Sequence, residues 1–350
     1  MSDRMNVAVV GAGDPHNHLY VNLLRSFDDL VDHVPLFAES IDEMAHHEEH
    51  PRLGPRYVDL EEMLKHEKLD AAILLVPHDQ KPHFTERLCG SGAHVLCEKS
   101  AALDANRFEE MIASAGKHKR RLSVCYPWRN NPAVHDVRRA LRGELGPTRA
   151  FEMRFNATRL AHRPSEPTES PKNWTWLRDH SRSGGGILAW LGVHWIDLAH
   201  DLFGPAAQIS AMIARYTNEV RDVEENAHLT MLTEGGAIGT IRTGWILPDG
   251  AKDIYIGIEA EHGAVRWSPA GPSPTVSVQL DGKGGEESEQ TYDEQAAANV
   301  AWIGDFVRQF LTSAVCGEGD PMISEDDGLY VMRVLDAAYE SVRSGRTISL

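Results

Sequence analysis

The sequence has few cysteines, no long apolar run and no excess of basic residues. Its four cysteines, Cys89, Cys97, Cys125 and Cys316, lack the density of a disulfide framework and the spacing of a metal site. No apolar run approaches the roughly 20 residues that cross a bilayer. The first residues leave no room for the apolar core of a signal peptide. These absences predict a protein of the reducing cytoplasm.

The charge balance argues against nucleic acid and anionic membranes as partners. The chain carries 35 Lys and Arg against 52 Asp and Glu, a formal net charge of −17. Nucleic acid and anionic membrane surfaces both require a basic face. We therefore expect neither as a partner.

Two different patterns of apolar and polar residues follow each other along the 350 residues. Up to about residue 125, short apolar segments alternate with helix-period stretches, as in a doubly wound parallel sheet. The predicted strands of this part are 6–10, 34–38, 71–76, 93–97 and 121–126. A helix from Asn106 to Ala115 fits one crossover.

From about residue 147 the predicted strands are longer and alternate between apolar and polar residues, which is typical of an antiparallel sheet with one buried face. They are 149–155, 208–215, 227–232, 237–245, 254–259, 264–267 and 275–280, followed by helices at 296–311 and 327–344. Residues 162–172 and 281–289 are predicted as polar loops. The fold class is thus α/β: a Rossmann domain at 1–125, then an α+β domain at 126–350 with a large, mostly antiparallel open sheet, whose final helices could pack back on the first domain.

The first predicted strand runs into Gly11-Ala12-Gly13, followed by Asp14. Glycines at this point allow a tight turn and a close approach of backbone to a pyrophosphate at a helix N-terminus. A dinucleotide fingerprint has a third Gly or Ala where this chain has His16. We therefore expect the next helix to begin later or to stand further off.

The second predicted strand ends at Glu39, slightly beyond the roughly 20-residue offset of a ribose-binding acid. Ser40 and Ile41 follow, and no Arg is placed to meet a 2′-phosphate. The pattern favours NAD over NADP. A solvated acid at a strand end is the alternative interpretation of Glu39.

A charged pair, Glu98-Lys99, closes the apolar strand at 93–97. Side chains at the carboxyl ends of parallel strands face the ligand crevice, so Lys99 is placed for chemistry rather than for packing.

Several motifs in one order resemble the glucose-fructose oxidoreductase, inositol dehydrogenase and MocA family over nearly the whole chain. They are Gly11-Ala12-Gly13, Glu98-Lys99, Asn131-Pro132 to Gly143-Glu144-Leu145-Gly146, Gly184-Gly185-Gly186 with Gly192-Val193-His194-Trp195-Ile196-Asp197, and Ala338-Tyr339-Glu340-Ser341 with Ser344-Gly345-Arg346.

This resemblance implies hydride transfer between a nicotinamide and a sugar or cyclitol carbon, and a homodimer or homotetramer formed through the C-terminal sheet. It also implies that Lys99 lies by the nicotinamide and that His194 is the acid–base residue. Both roles suit the chemistry, because alcohol oxidation needs a base at the hydroxyl and a cation for the developing alkoxide.

The sequence departs from the family at three points. Trp190 stands where many members have an Asp, Ser100 follows Lys99 in place of Pro, and the 77–83 loop is longer. Asp197 could partly replace the missing acid, or it could be a structural helix acid.

Four tryptophans lie close to the His194 motif: Trp174, Trp176, Trp190 and Trp195. Their flat faces could stack on a sugar, or they could be core residues. The predicted cofactor contacts are Gly11, Ala12, Gly13, Asp14, Glu39, Pro77, His78, Glu98, Lys99 and Trp128. The predicted substrate contacts are Lys99, Arg129, Arg178, Trp190, His194 and Asp197.

Three alternatives stay open at this point. One is oxidation of a glycoside at C3 with recycled NAD, and another is a nucleotide-binding protein without turnover. The third is a metal-dependent hydrolase, since His16 and His18 imitate a zinc-binding His-x-His pair of barrel enzymes. We predict no metal site, and we interpret His46, His47 and His50 as a solvated helix end.

Overall fold

The computed structural model describes residues 4–14, 16–158, 175–216, 222–268, 275–281, 287–291 and 301–350. The described residues form two compact units. The first unit takes them from 1–125, 164–184 and 307–329, and the second from 126–163, 185–306 and 330–350.

The first unit contains a six-stranded parallel sheet in the order β3-β2-β1-β4-β5-β6. Its strands are β1 (Met5–Val10), β2 (Val31–Phe37), β3 (Leu53–Tyr57), β4 (Ala71–Leu74), β5 (His94–Cys97) and β6 (Leu122–Val124). The order reverses direction between β1 and β4, and a ligand crevice forms at such a point, beyond the carboxyl ends of the strands.

The described helices, in chain order, are α1 (Asn17–Ser26), α2 (Leu60–His66), α3 (Lys81–Ser91), α4 (Ala105–Lys117), α5 (Pro132–Leu141), α6 (His180–Ser183), α7 (Val193–Phe203), α8 (Ala301–Leu311) and α9 (Glu325–Ser344). Local sequence explains several of their ends. The Asp59 and Asp104 side chains cap α2 and α4, and Gly92, in the left-handed region, ends α3.

The second unit contains a nine-stranded sheet in the order β14-β13-β12-β11-β7-β10-β9-β8-β15. Its strands are β7 (Thr148–Thr158), β8 (Ala206–Ala214), β9 (Asn226–Thr233), β10 (Ile238–Leu247), β11 (Asp253–Ala260), β12 (Gly263–Ser268), β13 (Thr275–Leu280), β14 (Glu287–Thr291) and β15 (Ile348–Ser349). β7 and β10 pair in parallel, and the other described neighbours are antiparallel.

Burial follows the sequence patterns of the two sheets. Every residue of β4 is buried, as expected for a parallel strand covered on both faces, whereas burial alternates along β9. On the buried face of the larger sheet, the Phe151 ring stacks on Phe203 of α7 with centroids 4.0 Å apart.

The predicted fold class is confirmed: a parallel Rossmann sheet and a mostly antiparallel open sheet. The strand β3 was not predicted, because Gly54 and Pro55 interrupt its apolar pattern; a Pro is tolerated there since β3 is an edge strand. The predicted loop at 281–289 is wrong at its end, where β14 begins with Glu287. Residues 162–172 and 296–300 lie outside the described residues.

Among the described helices, none combines the length and the apolarity that crossing a bilayer requires.

The packing of Gly239 on β10 yields a stability prediction. A Cβ on Gly239 would lie 1.9 Å from Cζ of Phe151, so Gly239→Ala must displace a ring that already stacks on Phe203. We expect a loss of about 1–3 kcal/mol in the free energy of unfolding, measured by urea denaturation.

Gly235→Ala, in the turn before the same strand, is the matched control. Its Cβ would meet only Thr233 Oγ1, at 3.7 Å. We expect a change within about 0.5 kcal/mol. Equal effects of the two substitutions would contradict the packing described for Phe151.

Candidate active site

The glycine turn after β1 is built for close backbone approach. The N–H groups of Gly11 and Ala12 both donate to the carbonyl of Phe37, at 2.9 and 2.8 Å. Gly11 has a φ of +97°, and a Cβ there would lie 2.7 Å from the Leu75 carbonyl carbon. Only glycine fits this position.

The helix after the turn begins late, as the sequence predicts. α1 starts at Asn17, so His16 is its N-cap residue rather than a packed helix residue. The His16 N–H donates to Asp14 Oδ1 at 2.8 Å, and His16 Nδ1 lies 3.4 Å from Glu98 Oε1. A bulky residue is therefore accommodated where the fingerprint has a small one.

A cleft lies at the carboxyl ends of β1, β2 and β4 in the first unit. Five of the residues that line it are predicted cofactor contacts: Gly11, Gly13, Asp14, Glu39 and Pro77. The other seven are Phe37, Ala38, Glu43, Leu75, Val76, Gln80 and Trp176. The Glu39 carboxylate is exposed at its edge.

Glu43 also lines this cleft and was not predicted from the sequence. Its Oε2 accepts from the backbone N–H of Glu39 at 3.2 Å, and its side chain occupies the space beside Gly13 that a Cβ would fill. The short turn Asp42–Met44 brings Glu43 back towards the end of β2. An acid four residues after Glu39 was the available signal.

Lys99 follows β5 and is 3% exposed, with its Nζ 3.9 Å from Glu98 Oε1. Burial lowers the pKa of Lys99 to about 8, while the charges of Glu98 and Asp14 oppose that shift. Burial also raises the pKa of Asp14 to about 7, and Glu98 adds to the rise. The Tyr20 hydroxyl donates to Glu98 Oε2 in the same buried cluster.

A second lysine, not predicted from the sequence, fixes the backbone around Lys99. Lys81 is 1% exposed, and its Nζ donates to the carbonyl oxygens of Glu98 and Ser100. The chain on both sides of Lys99 is thus bound to one buried ammonium group.

His78 holds the same segment from another side. Burial and the charge of Lys81 hold its pKa well below the usual range, so the ring is neutral. Its Nδ1 donates to the Ser183 carbonyl at 2.7 Å, and its Nε2 accepts from the Ser100 N–H at 3.1 Å. His78 was predicted as a cofactor contact; both of its ring nitrogens are used within the protein.

In the second unit, His194 lies in the first turn of α7 and is 7% exposed. Its ring meets the Tyr126 ring edge-on, with centroids 6.1 Å apart. Trp190 precedes it in the π-helical turn Leu188–Gly192 and is 4% exposed. A π turn is often found at functional sites.

A buried carboxylate explains the glycines before α7. Glu224 accepts from the N–H groups of Gly186 and Leu188 at 2.8 and 3.0 Å, and from the Tyr339 hydroxyl at 2.9 Å. A Cβ on Gly185 would lie 1.8 Å from the Tyr339 hydroxyl oxygen, and one on Gly186 would lie 2.0 Å from the Glu224 carbonyl oxygen. Glu224 was not predicted from the sequence.

Two predicted substrate contacts, Arg129 and Asp197, form a bidentate ion pair in the second unit. The Arg129 Nη2–Asp197 Oδ1 and Nε–Oδ2 distances are 2.7 and 3.1 Å. Asp197 is fully buried and Arg129 is 8% exposed. This geometry favours the structural helix acid over a replacement for the missing family Asp.

Trp128 and Trp195 belong to one aromatic cluster in the second unit. Trp128, predicted as a cofactor contact, packs at 5.0–6.0 Å against Phe155, Trp195, Trp267 and Trp302. It belongs to an aromatic cluster of the second unit, in which Trp195 is fully buried.

Two further residues lie in the first unit. Trp176 lines the glycine cleft there, and Arg178 is half-buried in the turn Thr175–Arg178. Trp174 lies outside the described residues.

The prediction that His46, His47 and His50 form a solvated helix end is wrong for His47. His47 is 4% exposed and is not part of a solvated helix end; the nearby helical turn stops at Met44. The His18 ring lies 4.2 and 5.1 Å from the His46 and His47 rings, so the first turn of α1 and the segment after β2 are neighbours. The hydrolase barrel is excluded as well, since the parallel sheet has six strands in an open order.

Two family models match the chain. The one described as "Oxidoreductase family, NAD-binding Rossmann fold" matches residues 5–126, and the GFO/IDH/MocA C-terminal domain matches residues 134–266. Together they span most of the sequence.

Individual relatives are distant in sequence, but their similarity extends over most of this chain. The inositol 2-dehydrogenase of Rhizobium meliloti is 24% identical over 288 residues, covering 81% of each chain. The D-apiose dehydrogenase of Paraburkholderia graminis is 23% identical, covering 84% of this chain and 76% of its own. A solved levoglucosan dehydrogenase, in complex with NADH and levoglucosan, has a TM-score of 0.82 at 16% identity and covers 99% of both chains, which shows a shared fold.

The glycine turn, the strand-end Glu98 and Lys99, and the two family matches agree with one another. The chain belongs to the GFO/IDH/MocA family of NAD-binding oxidoreductases.

Proposed function

We propose that this protein is an NAD-dependent dehydrogenase that oxidises a secondary hydroxyl of a sugar, glycoside or cyclitol, or reduces the corresponding carbonyl. The observation that carries the proposal is Lys99, a buried ammonium group at the end of a Rossmann strand whose pKa is lowered to about 8. Perturbed cations of this kind are typical of catalytic sites.

The glycine cleft fits a dinucleotide. Gly11 leaves open the backbone approach that a Cβ would block, and Gly13 borders the same cleft. The exposed Glu39 carboxylate would accept hydrogen bonds from ribose hydroxyls. Glu39 and Glu43 together place two acids where a 2′-phosphate would bind, which favours NAD over NADP.

Two side chains of this protein carry the chemistry in our proposal. Bound NAD supplies the hydride acceptor. His194 acts as the base that takes the hydroxyl proton, and the Lys99 ammonium stabilises developing negative charge. The products are a carbonyl compound, NADH and a proton held on the enzyme.

The substrate class rests on the relatives' names, which include inositol, D-apiose and D-xylose dehydrogenases. Trp190 replaces the acid that many family members have before the histidine. An aromatic face in that position suits the C–H surface of a pyranoside ring better than an additional hydroxyl group.

Two variants of the function remain within the same site. Oxidation at C3 of a glycoside with recycled NAD would release aglycone without net NADH. A nucleotide-binding protein without turnover would bind NADH tightly and transfer no hydride to any polyol. Lys99 and His194 both favour turnover.

We also propose a homodimer or homotetramer formed through the open face of the nine-stranded sheet. Met212 on β8 is 80% exposed and Ile238 on β10 is 57% exposed, and the strand register puts both side chains on one face. Exposed apolar side chains on one sheet face suit a subunit interface. The four free cysteines support the proposed cytoplasmic location.

The catalytic pair is tested by substitution. We expect Lys99→Ala and His194→Ala each to lower kcat by about 10²–10⁴-fold, because each removes a group that acts in the transition state. The assay is NADH formation at 340 nm with inositol, xylose, apiose and levoglucosan. NADH affinity, measured by fluorescence, should change less than about threefold.

His135→Gln, at an exposed histidine of α5, is the matched control and should retain full turnover. Near-normal turnover of either catalytic variant would refute its assigned role.

The lowered pKa of Lys99 predicts the alkaline limb of the pH profile. The ammonium form is lost as the pH rises through about 8, so kcat/KM for NAD should fall above that pH. Glu98 raises the pKa of Lys99, and Glu98→Gln should therefore move the falling limb to lower pH.

Asp79→Asn serves as the control because Asp79 faces Arg182 rather than Lys99. An unchanged limb in Glu98→Gln would show that Lys99 does not set the profile.

A further inference from the structure

Three histidines from two segments meet in the first unit. His18 lies in the first turn of α1, and His46 and His47 follow the turn Asp42–Met44. Their ring centroids are 4.2 Å (His18–His46), 5.1 Å (His18–His47) and 4.2 Å (His46–His47) apart. One ring nitrogen of each lies within 4.8 Å of the others.

Two ring nitrogens in this cluster are buried without a hydrogen bond. Among the described residues, His46 Nδ1 and His47 Nε2 have no partner, and His47 is 4% exposed. A buried nitrogen without a hydrogen bond is costly, and a bound ion is one of the few explanations for it.

The other nitrogen of His46 has a defined role. Nε2 lies 3.1 Å from Asn17 Oδ1, an acceptor, so the ring donates from Nε2 and presents the Nδ1 lone pair. The Asn17 amide in turn donates to the Asp14 carbonyl. Metal-binding histidines are oriented by an outer hydrogen bond of this kind.

The cation next to this cluster is already paired with other groups. Arg56, the nearby cation, donates to the His47 carbonyl at 2.7 Å and pairs with Glu49 at 3.1 Å.

We propose that His18, His46 and His47 bind one divalent transition-metal ion of the class that prefers imidazole, with Zn²⁺ as the first candidate. Three histidines and a water complete a tetrahedral shell. Ligand nitrogens about 2.0–2.1 Å from such an ion lie about 3.4 Å apart, so binding would draw together ring nitrogens that now lie within 4.8 Å of one another.

The site would tie the start of α1 to the segment after β2. It uses none of the residues assigned to hydride transfer. The proposal therefore stands or falls independently of the proposed dehydrogenase activity.

The test uses the full chain purified without a polyhistidine tag, stripped with EDTA and freed of the chelator. Co²⁺ is titrated and its visible absorption bands are followed; Zn²⁺ retained after gel filtration is counted by mass spectrometry. We expect one ion per chain, bound in the micromolar range or tighter, and displacement of Co²⁺ by Zn²⁺.

His18→Gln is the principal variant, because His18 is only half-buried and its loss should leave the fold intact, as checked by circular dichroism. It and His47→Gln should weaken binding at least tenfold. His66→Gln, at an exposed histidine at the end of α2, is the matched control and should bind like the unmodified chain. No saturable binding, or equal binding by all three variants, would overturn the proposal.

Discussion

The backbone around Lys99 depends on one interaction, the hydrogen bonds that the buried ammonium group of Lys81 donates to it. A buried charge is stable only where polar groups surround it, and here the carbonyl oxygens of Glu98 and Ser100 accept from Nζ. Because these carbonyls belong to the residues on either side of Lys99, its backbone has little freedom. The neutral His78 ring bonds the Ser100 N–H as well. Catalytic groups need support of this kind to hold a productive geometry.

The same burial sets the electrostatics of the first unit. Lys99 loses hydration and its pKa falls to about 8, while Asp14 loses hydration and its pKa rises to about 7. The pKa values of Lys99 and Asp14 therefore both lie near neutral pH. An oxidoreductase that moves a proton with each hydride benefits from groups whose pKa values lie close to the working pH.

The sequence was sufficient for the features that depend on local pattern. Apolar runs and alternation predicted most strands, and the Gly11 turn and the position of Lys99 followed from strand ends. The features it missed depend on contacts between distant segments. Lys81 and Glu224 look like ordinary charged residues until the fold buries them against carbonyl or amide groups. Likewise, the pairing of Arg129 with Asp197, 68 residues apart, has no local signature.

A fluorescence titration of the purified chain with NADH, and separately with NADPH, tests most directly whether the first unit is a functional NAD site. In our proposal the glycine turn binds the dinucleotide, and the acids Glu39 and Glu43, which line the same cleft, disfavour a 2′-phosphate. We expect saturable binding of NADH with at least about tenfold preference over NADPH, which corresponds to about 1.4 kcal/mol. Absence of binding by both nucleotides, or tighter binding of NADPH, would contradict this assignment.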